Sequence, residues 1–185
     1  TYTTFSLWDT YRTKLPLMTI THPERMDDVI NTMINICQEQ GFLPIWHLWG
    51  WDNGCMVGSP GIIAVADAVA KDIEGIDAER AWAAIYTSAM KDMRGGKYRK
   101  EYGYMPNDLQ GESIAHDMEF AIADAAAAKA AAELRKRRAV ILNMENVDKA
   151  LTRRVVDFLS GSVYALDGSV KKVAQSTYLF CPHNM

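Results

Sequence analysis

The stretch THPERMDDVINTMINICQEQG, residues 21–41, decides the fold class. Its apolar positions Met26, Val29, Ile30, Met33, Ile34 and Cys37 recur with the 3.6-residue period of an amphipathic helix. Thr21 and Glu24 have the spacing of a capping box, and Pro23 falls in the first turn, where its missing N–H is harmless. Gly41 marks the end. The pattern returns on the C-terminal side. Pro60 to about Asp72 carries Ile62, Ile63, Val65, Ala66, Val69 and Ile73 with so few charges that burial on most sides is expected. Asp77 caps a third helix with Trp82, Ile85, Tyr86, Ala89 and Met90 on one face, closing at Gly95-Gly96. An alanine-rich fourth helix spans about Ser113 to Arg138, where alanine gives the highest helix propensity. A fifth runs from roughly Val147 to Leu159. Lys97 to Gly111 reads as an irregular tyrosine-bearing connector, and Val163 to Met185 leaves strand and coil both open. No strand pattern repeats, so the expected class is all-α, with residues 1–185 as a single helical domain.

Composition excludes several function classes. The 185 residues are 49% hydrophobic and 23% charged, with a formal net charge of −3. That is ordinary globular composition and gives no electrostatic case for nucleic acid. The one basic cluster, Arg135-Lys136-Arg137-Arg138, sits where cations suit a helix C-terminus. Cys37, Cys55 and Cys181 form no CxxC spacing, which argues against a structural zinc site or a disulfide framework. No signal peptide is recognisable and no apolar run reaches the length of a membrane span. The chain opens at Thr1 inside an aromatic segment, which reads as a piece of a longer protein. The compartment therefore stays unknown.

The stretch Leu43 to Gly58 carries the chemistry. It holds Trp46, Trp49 and Trp51 beside His47, Asp52, Asn53 and Cys55, punctuated by Gly50, Gly54 and Gly58. Loops run over the surface and avoid large apolar rings. Three indoles here either plug the end of a helical bundle or line a cleft, and flat aromatic faces beside fixed polar groups suit a sugar ring. Asp9 and Arg12 stand three apart and share a face on a helical turn, either as a pocket pair or as a local ion pair. Cys55 reads as a small buried residue, Glu112 and Ser113 as helix-capping or pocket residues, and His47 and His116 as packed polar groups.

In order and spacing, several motifs resemble a known family. Phe5-Ser6-Leu7-Trp8-Asp9-Thr10-Tyr11-Arg12, Pro16-Leu17 and Pro23-Glu24-Arg25 are similar to the opening of the helical catalytic domain of glycoside hydrolase family 92, the exo-acting α-mannosidases. The likeness continues through Gly41-Phe42-Leu43-Pro44, Trp46, Leu48-Trp49-Gly50, Cys55-Met56-Val57-Gly58, Ala66-Asp67-Ala68, Gly75-Ile76-Asp77-Ala78-Glu79, Tyr102-Gly103-Tyr104-Met105-Pro106 and Gly111-Glu112-Ser113. It covers about residues 5 to 125 and is weak over 130–185. The resemblance implies part of an (α/α)6 helical toroid, next to an N-terminal β-sandwich and the remainder of a catalytic domain. It also implies calcium-dependent, inverting removal of terminal α-mannose from mannose-containing glycans, and a secreted, periplasmic or cell-surface parent. No calcium ligand is identifiable in this chain. In an inverting glycosidase two carboxyl groups about 6.5–9.5 Å apart act as acid and base.

The resemblance assigns substrate contact to Trp8, Asp9, Arg12, Trp49, Asp52, Glu112 and His183. Two departures bear on activity. Asp52 stands where the family usually places Glu. Phe180-Cys181-Pro182-His183-Asn184 looks like the family's Phe-Val-Pro-His-Asp segment, but the acid-bearing motif before it and the base-bearing Gly-Asn-Asp-Asp motif are not recognisable. No catalytic residue is therefore assigned, and the isolated chain is expected to be inactive. The reading from a different class is a degenerate, non-catalytic helical module that binds carbohydrate or a protein partner. A toroid without all its members would also leave apolar faces open, and the helix around Ile62 to Ile73 is the first candidate.

Overall fold

The structure, a computed structural model, describes residues 5–136, 140–145, 148, 149, 152, 153, 155–157, 160 and 169–181. The chain divides into two compact units, Thr1–Ala131 and Ala132–Met185, where the sequence suggested one helical domain. The all-α expectation also needs correction, because each unit holds a small three-stranded antiparallel sheet.

In the first unit β1 (Phe5–Ser6) leads into α1 (Leu7–Thr10), α2 (Lys14–Thr21) and α3 (Pro23–Gln40). Then come β2 (Trp46–Leu48), β3 (Trp51–Asp52), α4 (Pro60–Ala70), α5 (Ala78–Ala89), α6 (Gly96–Tyr102) and α7 (Ser113–Lys136). The periodic face of α3 is buried as its spacing requires, and Gly41 ends it in the left-handed region at φ 83°. The expected capping box is absent. Thr21 instead closes α2, with its hydroxyl donating to the Leu17 carbonyl, and His22 occupies the N-cap position of α3. Asp77 behaves as read, accepting from the amides of Glu79 and Arg80 at 2.9 Å each. The Lys97–Gly111 connector is more regular than expected, since α6 takes its first part.

Helix α4 is the centre of this unit. It packs against α1, α2, α3 and α5, and Ile62, Val65, Ala66, Ala68 and Val69 are all buried. The expected open face at Ile62–Ile73 is therefore covered. The exposed apolar residues lie elsewhere, on α2 (Leu17, Ile20) and along α7 (Ile114, Met118, Ile122). Close approach makes the central position of α4 possible. A Cβ on Gly61 would stand 2.6 Å from the Pro44 carbonyl oxygen and 2.8 Å from Leu43 Cβ. Ser88 of α5 fixes the same segment, accepting from the Leu43 amide at 2.8 Å while donating to the Ala84 carbonyl.

The second unit contains β4 (Val140–Asn143), β5 (Ser169–Ala174) and β6 (Thr177–Cys181), with β6 in the middle. Val140 pairs with Phe180 and Ser169 with Cys181. Of the expected fifth helix, residues 149, 152, 153 and 155–157 are helical. His183 and the Arg137-Arg138 end of the basic cluster lie outside the described residues.

Gly61→Ala should lower the stability of the first unit by about 1–3 kcal/mol, as overpacking against immobile backbone does. Gly111→Ala, where a Cβ meets open space, should stay within about 0.5 kcal/mol. Denaturant unfolding of the two variants checks this.

Candidate functional site

The aromatic stretch folds as a hairpin. Leu48 pairs with Trp51 and His47 with Asp52, which leaves Trp49 and Gly50 as a two-residue loop. Both have positive φ, 59° and 83°, as a type I′ turn requires. Asn-Gly suits such a turn, whereas a bulky residue at its first position is strained by roughly 1–3 kcal/mol. Trp49 is nevertheless there, and 95% exposed. Trp51 beside it is 59% exposed. A strained, solvent-facing indole contributes nothing to the core.

Asp52 has a structural role in the hairpin. It is only 7% exposed. Its Oδ2 accepts from the amides of Ile45 (2.6 Å) and Trp46 (3.0 Å), and its Oδ1 from that of Gly54 (2.9 Å). The carboxylate thus accepts three backbone donors and builds the hairpin. Cys55, expected to be buried, is exposed, because Asn53 Oδ1 accepts its amide and turns the loop outward.

Strand β1 brings the second group of residues alongside. Phe5 pairs with His47 and Ser6 with Trp46. The Trp46 indole N–H donates to Ser6 Oγ at 2.6 Å, and Ser6 Oγ donates in turn to the exposed Asp9 carboxylate. Asp9 and the hairpin therefore share one end of the helices. Arg12 is not Asp9's partner. It pairs with Glu119 of α7 at 2.6 Å, and its guanidinium lies 4.8 Å from the centre of the Trp8 ring and 4.7 Å from that of Tyr11. Trp8 is half-buried.

Glu119 escaped the sequence reading. It accepts from Tyr11 Oη at 2.7 Å as well as from Arg12. Burial, followed by this bond to a carboxylate, pushes the Tyr11 phenol up to about 12. Glu112 lies at the foot of α7 with φ 54°, its carbonyl accepting from the His116 amide at 3.0 Å. Its charge, with that of Asp52, faces the partly buried Arg94 guanidinium, which donates to the Gly54 carbonyl at 2.7 Å. The structure thus links Asp9 to the base of the hairpin and Arg12 to Trp8, sets Trp49 at the hairpin tip and Asp52 inside it, and turns the Glu112 charge toward Arg94. Among the described residues no group of three or more His, Cys, Asp or Glu side chains is placed to hold a metal, and no helix is long and apolar enough to cross a membrane.

Comparison with known proteins decides the family. The glycosyl hydrolase family 92 catalytic domain matches residues 1–151. The chain belongs to that family. A family 92 α-mannosidase from Bacteroides thetaiotaomicron is similar in structure, with 36% identity and a TM-score of 0.70 over 73% of this chain and 19% of that one. The same is true of its complex with mannoimidazole, over 72% and 18%. A family 92 inverting mannosidase from the same organism is 29% identical, with a TM-score of 0.56, over 71% of this chain and 21% of that chain. The chain thus spans about a fifth of these solved enzymes.

The C-terminal part has a second likeness. Residues 122–185 match the family of the cell division protein SepF. The SepF of Desulfitobacterium hafniense is 49% identical over 53 residues, 29% of this chain and 35% of that protein. That of Acetivibrio thermocellus is 48% identical over 52 residues, 28% of this chain and 34% of that protein. The chain covers about a third of these relatives. The segment Phe180 to Asn184 lies inside this match and beyond the family 92 match, which ends at residue 151.

Two measurements test the geometry. Asp52→Ala should cost about 1–3 kcal/mol, because three amides lose a buried acceptor. Because the Tyr11 phenol is held up, the stability it contributes is fully present below pH 10 and lost as pH rises through about 12. In Glu119→Gln, ultraviolet titration should find that phenol ionising at lower pH.

Proposed function

We propose that residues 5–125 form one wall of an α-mannoside pocket, in the setting of a calcium-dependent, inverting exo-α-mannosidase acting on mannose-containing glycans. The observation that carries this is Trp49, an exposed indole held in a strained turn at the tip of the hairpin whose base is linked through Trp46 and Ser6 to Asp9. Trp49 offers an apolar face to a sugar ring, and Asp9 accepts hydrogen bonds from its hydroxyls. Arg12, fixed by Glu119, stiffens Trp8 and supplies further donors. Asp52 sets the height and angle of the hairpin without touching the sugar. Glu112 tunes the same loop through Arg94. His183 stays a candidate on resemblance alone. No residue of this chain is assigned as general acid, general base or calcium ligand, so calcium enters only as the family's cofactor.

A second reading rests on the SepF match. In it the unit Ala132–Met185, with its β4-β6-β5 sheet, is a division-protein-like binding module, and the chain binds a partner without glycoside chemistry.

The deciding experiment follows the Trp49 indole N–H by NMR during titration with methyl α-mannoside at millimolar concentration. The resonance should shift, and the shift should vanish in Asp9→Asn. Trp49→Asn should also lose sugar-induced shifts at neighbouring residues while stabilising the hairpin by up to about 1 kcal/mol, since Asn suits a type I′ turn. An unperturbed indole would favour the partner-binding module. With calcium present, no release from an activated α-mannoside is expected. Calcium-dependent turnover that disappears in Asp52→Asn would give Asp52 the catalytic role denied to it above.

A further inference from the structure

The hairpin leads into α4 through residues 53–58, and this loop is tied at both ends. At Gly54 the ties are ionic: its amide donates to Asp52 and its carbonyl accepts from Arg94. At Gly58 the tie is a neutral imidazole. The Gly58 amide donates to His116 Nδ1 at 3.2 Å. Gly58 sits at φ 76°, and a Cβ there would stand 2.4 Å from Glu119 Cβ. Its backbone therefore rests directly on α7. His116 itself is 5% exposed and stacks on Phe120 with ring centres 6.2 Å apart.

An imidazole nitrogen accepts a hydrogen bond only while it is unprotonated. Once Nδ1 takes a proton, two donors face each other and the Gly58 bond is lost. We propose that His116 is a proton-operated latch, and that acid releases the Gly58 end of residues 53–58 and loosens the loop joining the aromatic hairpin to α4.

The charged surroundings act on this proton in both directions. Arg94, which precedes α6, opposes a second positive charge. Glu112, just before α7, and Asp117 on α7 favour it. Asp117 is already engaged by the Met105 amide (2.7 Å) and by Arg99 (3.2 Å), and Glu112 is exposed. Burial dominates and holds the His116 imidazole below its ordinary value. The sign follows. The latch is fully closed above about pH 6.5, and the penalty for keeping it closed grows as pH falls below that toward the folded value. Opening the loop rehydrates the imidazole, so protonation and opening proceed together.

Amide exchange of the full chain, corrected for the intrinsic pH dependence of exchange, tests the latch. Protection at Gly58 should fall on the order of tenfold between pH 7.5 and pH 5.0, in step with titration of the His116 ring. In His116→Asn, whose side-chain oxygen accepts without titrating, Gly58 protection should be flat across the range. Arg94→Met should move the midpoint upward. Constant Gly58 protection in the natural chain overturns the proposal, and so does a pH response that persists in His116→Asn. Should that variant not fold, differing midpoints for the His116 ring and the Gly58 amide in the natural chain overturn it equally. None of these readouts depends on mannoside binding.

Discussion

Three backbone amides converge on the Asp52 carboxylate, and much of the first unit's functional end follows from that convergence. Ile45 lies just before the hairpin, Trp46 opens its first strand and Gly54 follows its second, so one side chain closes the loop across its base. With the base closed, β2 can pair with β1 on its free edge, and β1 delivers Ser6, Trp8 and Asp9 to the same place. Hydrogen bonds to an ionised acceptor are stronger than neutral ones. Here they replace the long sheet that would otherwise be needed, since β2 and β3 have only three and two residues. This end of the unit is therefore built around a buried charge.

What the sequence made legible was local. The period of α3, the Asp77 cap and the apolar composition of α4 all act within a few residues, and each appears where the pattern placed it. The features that were missed depend on partners distant in sequence or on backbone geometry. Glu119 looks like an ordinary solvated helix residue until Tyr11 and Arg12 reach it from more than 100 positions away. The hairpin lacks the Asn-Gly signature because Trp49 occupies the strained position, and two- and three-residue strands are too short to show alternation. The capping box at Thr21 failed because α2, with Pro16 tolerated in its first turn, continues through Thr21. The three amides around Asp52 were equally hidden, because a sequence shows carboxylates but not the backbone donors that surround them.

The two family matches overlap between residues 122 and 151, and α7 (Ser113–Lys136) enters this overlap. The alanine-rich run from Ala123 to Ala132 carries few side chains characteristic of either family. Its high helix propensity favours a continuous helix, and Ala123, Ala127 and Ala130 are buried. Upstream of it the buried positions His116 and Phe120 belong to the glycosidase-like unit. The β4-β6-β5 sheet belongs to the unit with the SepF likeness.

The ion pair between Arg12 and Glu119 has a consequence for ligand choice. The Arg12 cation is cancelled by a carboxylate 2.6 Å away, while Asp9 bonds only to a neutral hydroxyl. Of these three charges, one negative charge is left facing solvent. A wall of that kind gives no long-range attraction to phosphorylated or sulfated glycans and repels them weakly. Uncharged glycans would reach it by diffusion alone, at a rate almost independent of ionic strength.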